Sequence, residues 1–283
     1  MKKTYLLIVF LFLALAYSLS QVFSGNWILP QGFFVGPIEI RYYGIIMALA
    51  VGAGYYLAVQ TAENNRLSKK QAEDLLFWVI IGGFVGARLY HVLSGFGYYF
   101  QNPLSSFQVW NGGLSIYGAI LGGLIVILLY AKRYTLNPWH LFDWLAPSVL
   151  LGQIIGRFGN MFNYEAFGYP AGILWKMFVP PEFRPVSFWG FQFFHPWFLY
   201  EILGNVIIFV FLMVVLKSRL KGKRGALFLT YILLYNSVRF LLEFSRIDSV
   251  FVGYFRQNAI ASLVLILFSA AALKFIKRNE QVS

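Results

Sequence analysis

The chain has no cysteine and very little charge. Without cysteine there is no disulfide, no thiolate metal site and no cysteine nucleophile, and the redox compartment stays undetermined. Charged residues make up 12% of the sequence, about half the share that covers an ordinary soluble domain. A soluble globule is therefore excluded. Also missing are a soluble domain, a low-complexity tract, a clear internal repeat, and any phosphate-loop, metal-cluster or dinucleotide fingerprint.

What is present is apolar: 59% of the 283 residues are hydrophobic and 20% aromatic, with a mean hydropathy of +0.66. They gather in eight stretches, near 4–22, 40–62, 74–95, 113–131, 140–163, 196–216, 225–247 and 257–275. Each is long enough to cross a ~30 Å hydrocarbon core once. The net charge of +12 would suggest nucleic acid in a soluble protein, but its distribution says otherwise. Fifteen of the 23 basic residues flank alternate stretches: Lys2 and Lys3; Arg66, Lys69 and Lys70; Lys132 and Arg133; Lys217, Arg219, Lys221, Lys223 and Arg224; Lys274, Lys277 and Arg278. The positive-inside rule places all five clusters and both termini in the cytoplasm, and the segments 23–39, 96–112, 164–195 and 248–256 outside. Trp27, Tyr98, Tyr99, Trp110 and Trp189 in those outer segments suit interfacial anchors. The charge is a topology signal, and nucleic acid is not an expected partner.

The expected fold is all-α: a polytopic membrane helix bundle of seven core transmembrane helices plus an N-terminal signal-anchor-like helix, with 164–195 as an outer interfacial cap. The first stretch, with its basic start and its exit through Ala14, Ala16, Ser18 and Ser20, also fits a cleavable signal peptide. The retained anchor is the reading adopted.

Charges inside hydrocarbon cost at least ~2.5–3.5 kcal/mol each on insertion scales, so those that persist are functional candidates. Arg88 lies late in its stretch, as do Arg157, Asn160 and Asn163 in theirs and Arg239, Glu243 and Arg246 in theirs. Tyr42, Tyr43, Tyr117, His195, Tyr200 and Glu201 open stretches that run the other way. All fall in the outer half of the bilayer, with only Asp143 comparable in the inner half, which predicts one polar cavity facing the outer leaflet. Arg239, Glu243 and Arg246 share a helix face at i, i+4 and i+7. Arg246 and Arg256 stay open between snorkelling to water and binding. Arg157, with two asparagines in an apolar helix, reads as a ligand residue. An excess of guanidinium over carboxylate calls for an anion, and the planar guanidinium fork suits phosphate. Gly82 with Gly86, Gly118 with Gly122 and Gly152 with Gly156 read as close helix packing. Gly112, Gly113, Gly159 and Gly168 read as packing or turn residues by default.

The run GRFGNMFNYEAFG at 156–168 resembles the signature of the bacterial prolipoprotein diacylglyceryl transferases, with its Arg157, Asn160, Asn163, Glu165 and Gly168. RYYG (41–44), GARL (86–89), WNGGLSIYG (110–118), HPWFLYE (195–201) and RFLLEFSR (239–246) follow in that family's order. The resemblance covers about 36–275, which it marks as the transferase domain; 1–30 is an additional hydrophobic segment and 276–283 a cytoplasmic tail.

The resemblance implies transfer of the diacylglyceryl unit of phosphatidylglycerol to the lipobox cysteine of a preprolipoprotein in the bacterial inner membrane, with release of glycerol phosphate and without cofactor or metal. It implies Arg157 and Arg239 as a phosphate clamp, held by Glu243 and Arg246, with Asn160 and Asn163 orienting the headgroup. Glu165, Gly168 and Arg88 join the binding set, and Tyr43 and Tyr117 the catalytic one. Many relatives carry histidine where this chain has Tyr117. The proton acceptor stays open among Tyr117, His91, His195 or no protein base; His195 and Glu201 are further candidates for the binding set. An anion transporter and a non-enzymatic lipid-binding scaffold are the rival classes. The transporter is disfavoured because polar groups do not run to both faces.

Overall fold

The computed structural model describes residues 2–65, 67–216, 219–220 and 222–282. Of the basic flanks, Arg66, Lys217 and Lys221 lie outside the described residues. The helices follow the apolar stretches closely: α1 Lys2–Ser24, α2 Tyr42–Thr61, α3 Lys69–Ser94, α4 Phe96–Gln101, α5 Ile116–Arg133, α6 Pro138–Asn163, α7 Trp197–Val210, α8 Ala226–Glu243 and α9 Gln257–Val282. A π-wound turn, Phe211–Leu216, extends α7.

Local chemistry sets several of the ends. Ser68 and Gln71 form a reciprocal capping box that starts α3. The Asn137 side chain accepts from the backbone N–H groups of Trp139 and His140, and Pro138 takes the first position of α6, where its missing N–H costs nothing. Lys132 and Arg133 close α5 against the negative end of its dipole.

Among the described residues, six helices are long and apolar enough to cross a membrane: α2, α3, α5, α7 with its π extension, α8, and α9 over Gln257–Ile276. The chain is a multi-pass membrane protein. Among the described residues, three short antiparallel strand pairs lie between the helices: β1 Gly32–Val35 with β2 Ile38–Arg41, β3 Met177–Phe178 with β4 Phe193–Phe194, and β5 Phe251–Val252 with β6 Phe255–Arg256. Hydropathy reads these segments only as connections; the pairing comes from turns such as Gly36 and Gly253, both at positive φ.

The chain forms two compact units. The first comprises 1–53, 149–220 and 229–283. Its core gathers Trp197, Phe198, Ile202, Phe194, Met177 and Val179, so the long 164–195 segment contributes buried side chains and is not merely a surface cover. The second comprises 54–148 and 221–228, with a core around Leu75, Leu141 and Trp144. There α3 and α5 cross at their glycines: a Cβ on Gly86 or Gly118 would strike the other's carbonyl oxygen, and one on Gly122 that of Gly82. Asp143 accepts from the N–H groups of Gly225 (2.6 Å) and Phe228 (2.8 Å) and so caps the start of α8.

Candidate functional site

Within the first unit, α6, α7 and α8 bring three charged groups together. Arg157 Nη2 lies 2.7 Å from Glu201 Oε1, and Arg239 Nη1 lies 3.0 Å from Glu201 Oε2. Glu201 is fully buried, whereas the Arg157 and Arg239 side chains keep 26% and 14% exposure. One carboxylate thus holds two guanidiniums by their inner edges. Among these three groups one positive charge remains, on guanidiniums that stay partly exposed and suit an anion. Tyr235, one turn before Arg239, meets Glu201 Oε1 at 3.4 Å and hydrogen-bonds Arg157.

The carboxylate that sequence spacing pairs with the arginines is Glu243, and here the structure differs. Glu243 is fully buried and its Oε1 accepts from Asn258 at 3.3 Å. Arg246 turns instead to Asp248, 2.7 Å from Nη2 to Oδ2, because the chain leaves the helix after Glu243. The expected guanidinium excess is local. It holds around Glu201, while Glu165, Glu243 and Asp248 outnumber Arg246 and Arg256 in the same unit. Arg256 does not snorkel. It donates to the carbonyls of Glu243 and Arg246 (2.9 Å to the latter) and closes the C-terminal end of α8.

The signature run is tied down by backbone. Gly168 donates to the His195 carbonyl (2.9 Å), His195 to that of Tyr169 (3.1 Å), Tyr169 to that of Ser245 (3.3 Å), and Phe198 to that of Ala166 (3.0 Å). Gly168 bridges Arg246. A Cβ on Gly168 would sit 2.7 Å from the Ser245 oxygen, and one on Gly159 2.7 Å from the Tyr43 ring, so both glycines serve close packing. Tyr164 and Ala166 adopt φ of 50° and 53°, a strained left-handed backbone for residues with a Cβ. Asn163 donates to Glu165 within this turn, and Asn160 is buried beside it.

His195 Nδ1 is 2.9 Å from the Tyr200 hydroxyl, which accepts from Trp175 Nε1 at 2.9 Å. The His195 ring and the Trp175 indole thus meet on one hydroxyl, that of Tyr200.

Arg88 and Tyr117 belong to the second unit. Arg88 is buried and donates to the carbonyls of Ser105 (2.6 Å), Ser106 (2.8 Å), Gly112 (2.8 Å) and Gly113 (3.0 Å). That is a guanidinium organising a loop. Tyr117 is 53% exposed, with its ring 6.1 Å from Tyr90.

Turn arithmetic leaves several residues of the cluster unnoticed: Trp197, four before Glu201, and Tyr235, four before Arg239. Neither carries a charge that would mark it in an apolar helix, and only a partner helix reveals that they meet the charged groups.

Comparison with known proteins shows the family. The family model for prolipoprotein diacylglyceryl transferase matches residues 30–275. A phosphatidylglycerol–prolipoprotein diacylglyceryl transferase of Acaryochloris marina is 39% identical over 235 residues, 83% of this chain and 86% of the relative. Relatives of the same name from Fervidobacterium nodosum (38%; 93% of this chain, 91% of the relative) and Thermotoga maritima (36%; 98% and 93%) align over 266 and 279 residues. The last alignment reaches into the N-terminal segment that the family model leaves out, so that segment has a counterpart there. Matched by the family model over 30–275 and by relatives 36–39% identical over most of its length, the chain belongs to the prolipoprotein diacylglyceryl transferase family.

Proposed function

We propose that this protein transfers the diacylglyceryl group of phosphatidylglycerol to the lipobox cysteine of a preprolipoprotein, the first step of lipoprotein maturation. The observation that carries this reading is the pair Arg157 and Arg239 on one buried carboxylate, a phosphate receptor set among apolar helices. The cysteine thiolate attacks the glyceryl carbon that bears the phosphate ester oxygen. A C–S bond forms, the C–O bond breaks, and the electron pair leaves on glycerol phosphate. The thiol, of ordinary pKa ~8.5, gives its proton to a base. The balance needs no oxidant, reductant or metal.

Arg157 and Arg239 stabilise the charge that grows on the departing phosphate. Asn160 and Asn163 orient the headgroup, with Glu165 and Gly168 shaping the turn that presents them. Arg246 supports the Arg239 end of the clamp through the Trp197 ring that both guanidiniums face, and Glu243 anchors the end of α8 through Asn258. Tyr43 and Tyr117 are the catalytic hydroxyls, His195 an alternative proton acceptor, and Arg88 holds the 105–113 loop. α1 and α6 cross the membrane as well, giving seven core helices, 36–275, preceded by an anchor within 1–30 and followed by the 276–283 tail. The enzyme sits in the bacterial cytoplasmic membrane with its site toward the outer leaflet, where a lipobox emerges beside its signal helix.

The test is direct. Purified protein in detergent, given phosphatidylglycerol and a lipobox peptide, yields a diacylglyceryl thioether and free glycerol phosphate by mass spectrometry. Folded protein that yields neither, whatever the conditions, overturns the reading.

A further inference from the structure

One turn beyond Glu201 on α7 lies Asn205, fully buried, with neither Oδ1 nor Nδ2 hydrogen-bonded among the described residues. A side-chain amide in such a place costs free energy until a partner arrives, and unpaired N–H groups are rarer in proteins than undersatisfied carbonyls. The partner that the site calls for is therefore an acceptor.

Its surroundings have a layered order. Arg157, Glu201 and Arg239 form the ionic layer. Four residues along each helix, away from the signature end, stand Gln153 on α6, Asn205 on α7 and Tyr235 on α8. This second layer is neutral. Tyr231, a turn further along α8, donates to Gln153 Oε1 at 3.0 Å. α7 and α8 are close here, since a Cβ on Gly204 would lie 2.8 Å from Val238 Cγ1. Four residues of helix advance about 6 Å along the axis.

A phospholipid whose phosphate occupies the ionic layer, with its chains directed toward the membrane centre, carries its two acyl ester carbonyls a few bonds deeper. Ester carbonyls are acceptors without charge, which is what a neutral layer with an unpaired amide donor accommodates. We infer that Asn205 donates to an acyl ester carbonyl of the lipid and positions the diacylglyceryl unit, so that the carbon bound to the phosphate oxygen faces the incoming thiolate. This rests on the transferase reading above and deepens it: Asn205 reads the ester linkage of the lipid.

The experiment compares ester-linked phosphatidylglycerol with its diether analogue of equal chain length, using the full-length enzyme and a lipobox peptide, and reads kcat/KM. The wild type favours the ester lipid by about tenfold, the worth of one hydrogen bond. In Asn205→Leu, which removes the polar group at similar volume, that ratio falls to about one while thermal stability is kept or raised. A structural role alone would lower stability and leave the ratio in place. Equal wild-type rates on the two lipids overturn the inference, as does an Asn205→Leu enzyme that keeps the wild-type ratio. If that variant does not fold, Asn205→Ala makes the same comparison, and the wild-type ratio requires no variant. Absence of any thioether product from either lipid instead defeats the transferase reading itself.

Discussion

The guanidiniums of Arg239 and Arg246 lie over the same ring, each 4.9 Å from the centroid of Trp197. Trp197 is fully buried at the start of α7, and its Nε1 donates to the Leu242 carbonyl at 2.7 Å. A desolvated cation over an indole face contributes about 2 kcal/mol. The indole thus holds Arg239 beside Glu201 and fixes the turn after α8 on which Arg246 rides.

Trp197→Leu removes the ring face and the N–H together. We expect about 3–5 kcal/mol lost from stability and a fall in turnover, whereas Trp197→Phe retains a weaker face and an intermediate rate. Thermal unfolding in detergent and the thioether assay measure both. A leucine variant with wild-type turnover would show that the ring does not organise Arg239.

Arg157→Ala should reduce turnover about 100- to 1,000-fold, the range for removing one group that stabilises developing negative charge. Arg157→Lys keeps the charge but loses the planar fork, so its rate falls between alanine and wild type. Membrane insertion is retained in both. Equal rates for lysine and arginine would show that charge alone suffices.

Glu201→Gln leaves two arginines beside a neutral amide. Removing one partner of a buried ion pair costs about 3–5 kcal/mol, and the unfolding midpoint drops accordingly. In a double-mutant cycle with Arg239→Ala the losses are not additive. Additive losses would mean that the two groups act independently.

The Arg246–Asp248 pair gives a pH signature. Burial alone would raise the Asp248 carboxyl, but the hydrogen bond from Arg246 and its charge outweigh burial and hold it below its ordinary value. A depressed folded-state value means that the pair stabilises above the unfolded pKa of ~3.9 and that this is lost as pH falls through the folded value. Wild type should therefore unfold at a higher temperature than Asp248→Asn at neutral pH, with the gap starting to narrow near the unfolded value and closing only as pH falls through the lower folded one. A gap that does not change with pH down to the acid limit of folding would exclude the ion pair as its source.

Gly86→Val drives a side chain into the Gly118 carbonyl on the facing helix. Overpacking of this kind costs typically ~1–3 kcal/mol, read as a lower unfolding midpoint. The effect on lipid affinity should be small by comparison. An unchanged midpoint would mean that α3 and α5 can separate freely.

The amino-acid sequence by itself determined where the helices run, because about twenty apolar residues between polar flanks have only one way to satisfy their backbone in hydrocarbon. It also marked Arg157 and Arg239 as exceptional, since an arginine in an apolar helix must have a partner. Who that partner is could not be read along the chain. Spacing on one helix nominated Glu243 for Arg239, but the carboxylate that holds both arginines is Glu201 on another helix. Likewise Arg88 looked like a ligand residue until loop carbonyls 17 to 25 residues away closed around it. Periodicity reports which face a residue occupies; pairing depends on which faces meet, and only the tertiary structure decides that.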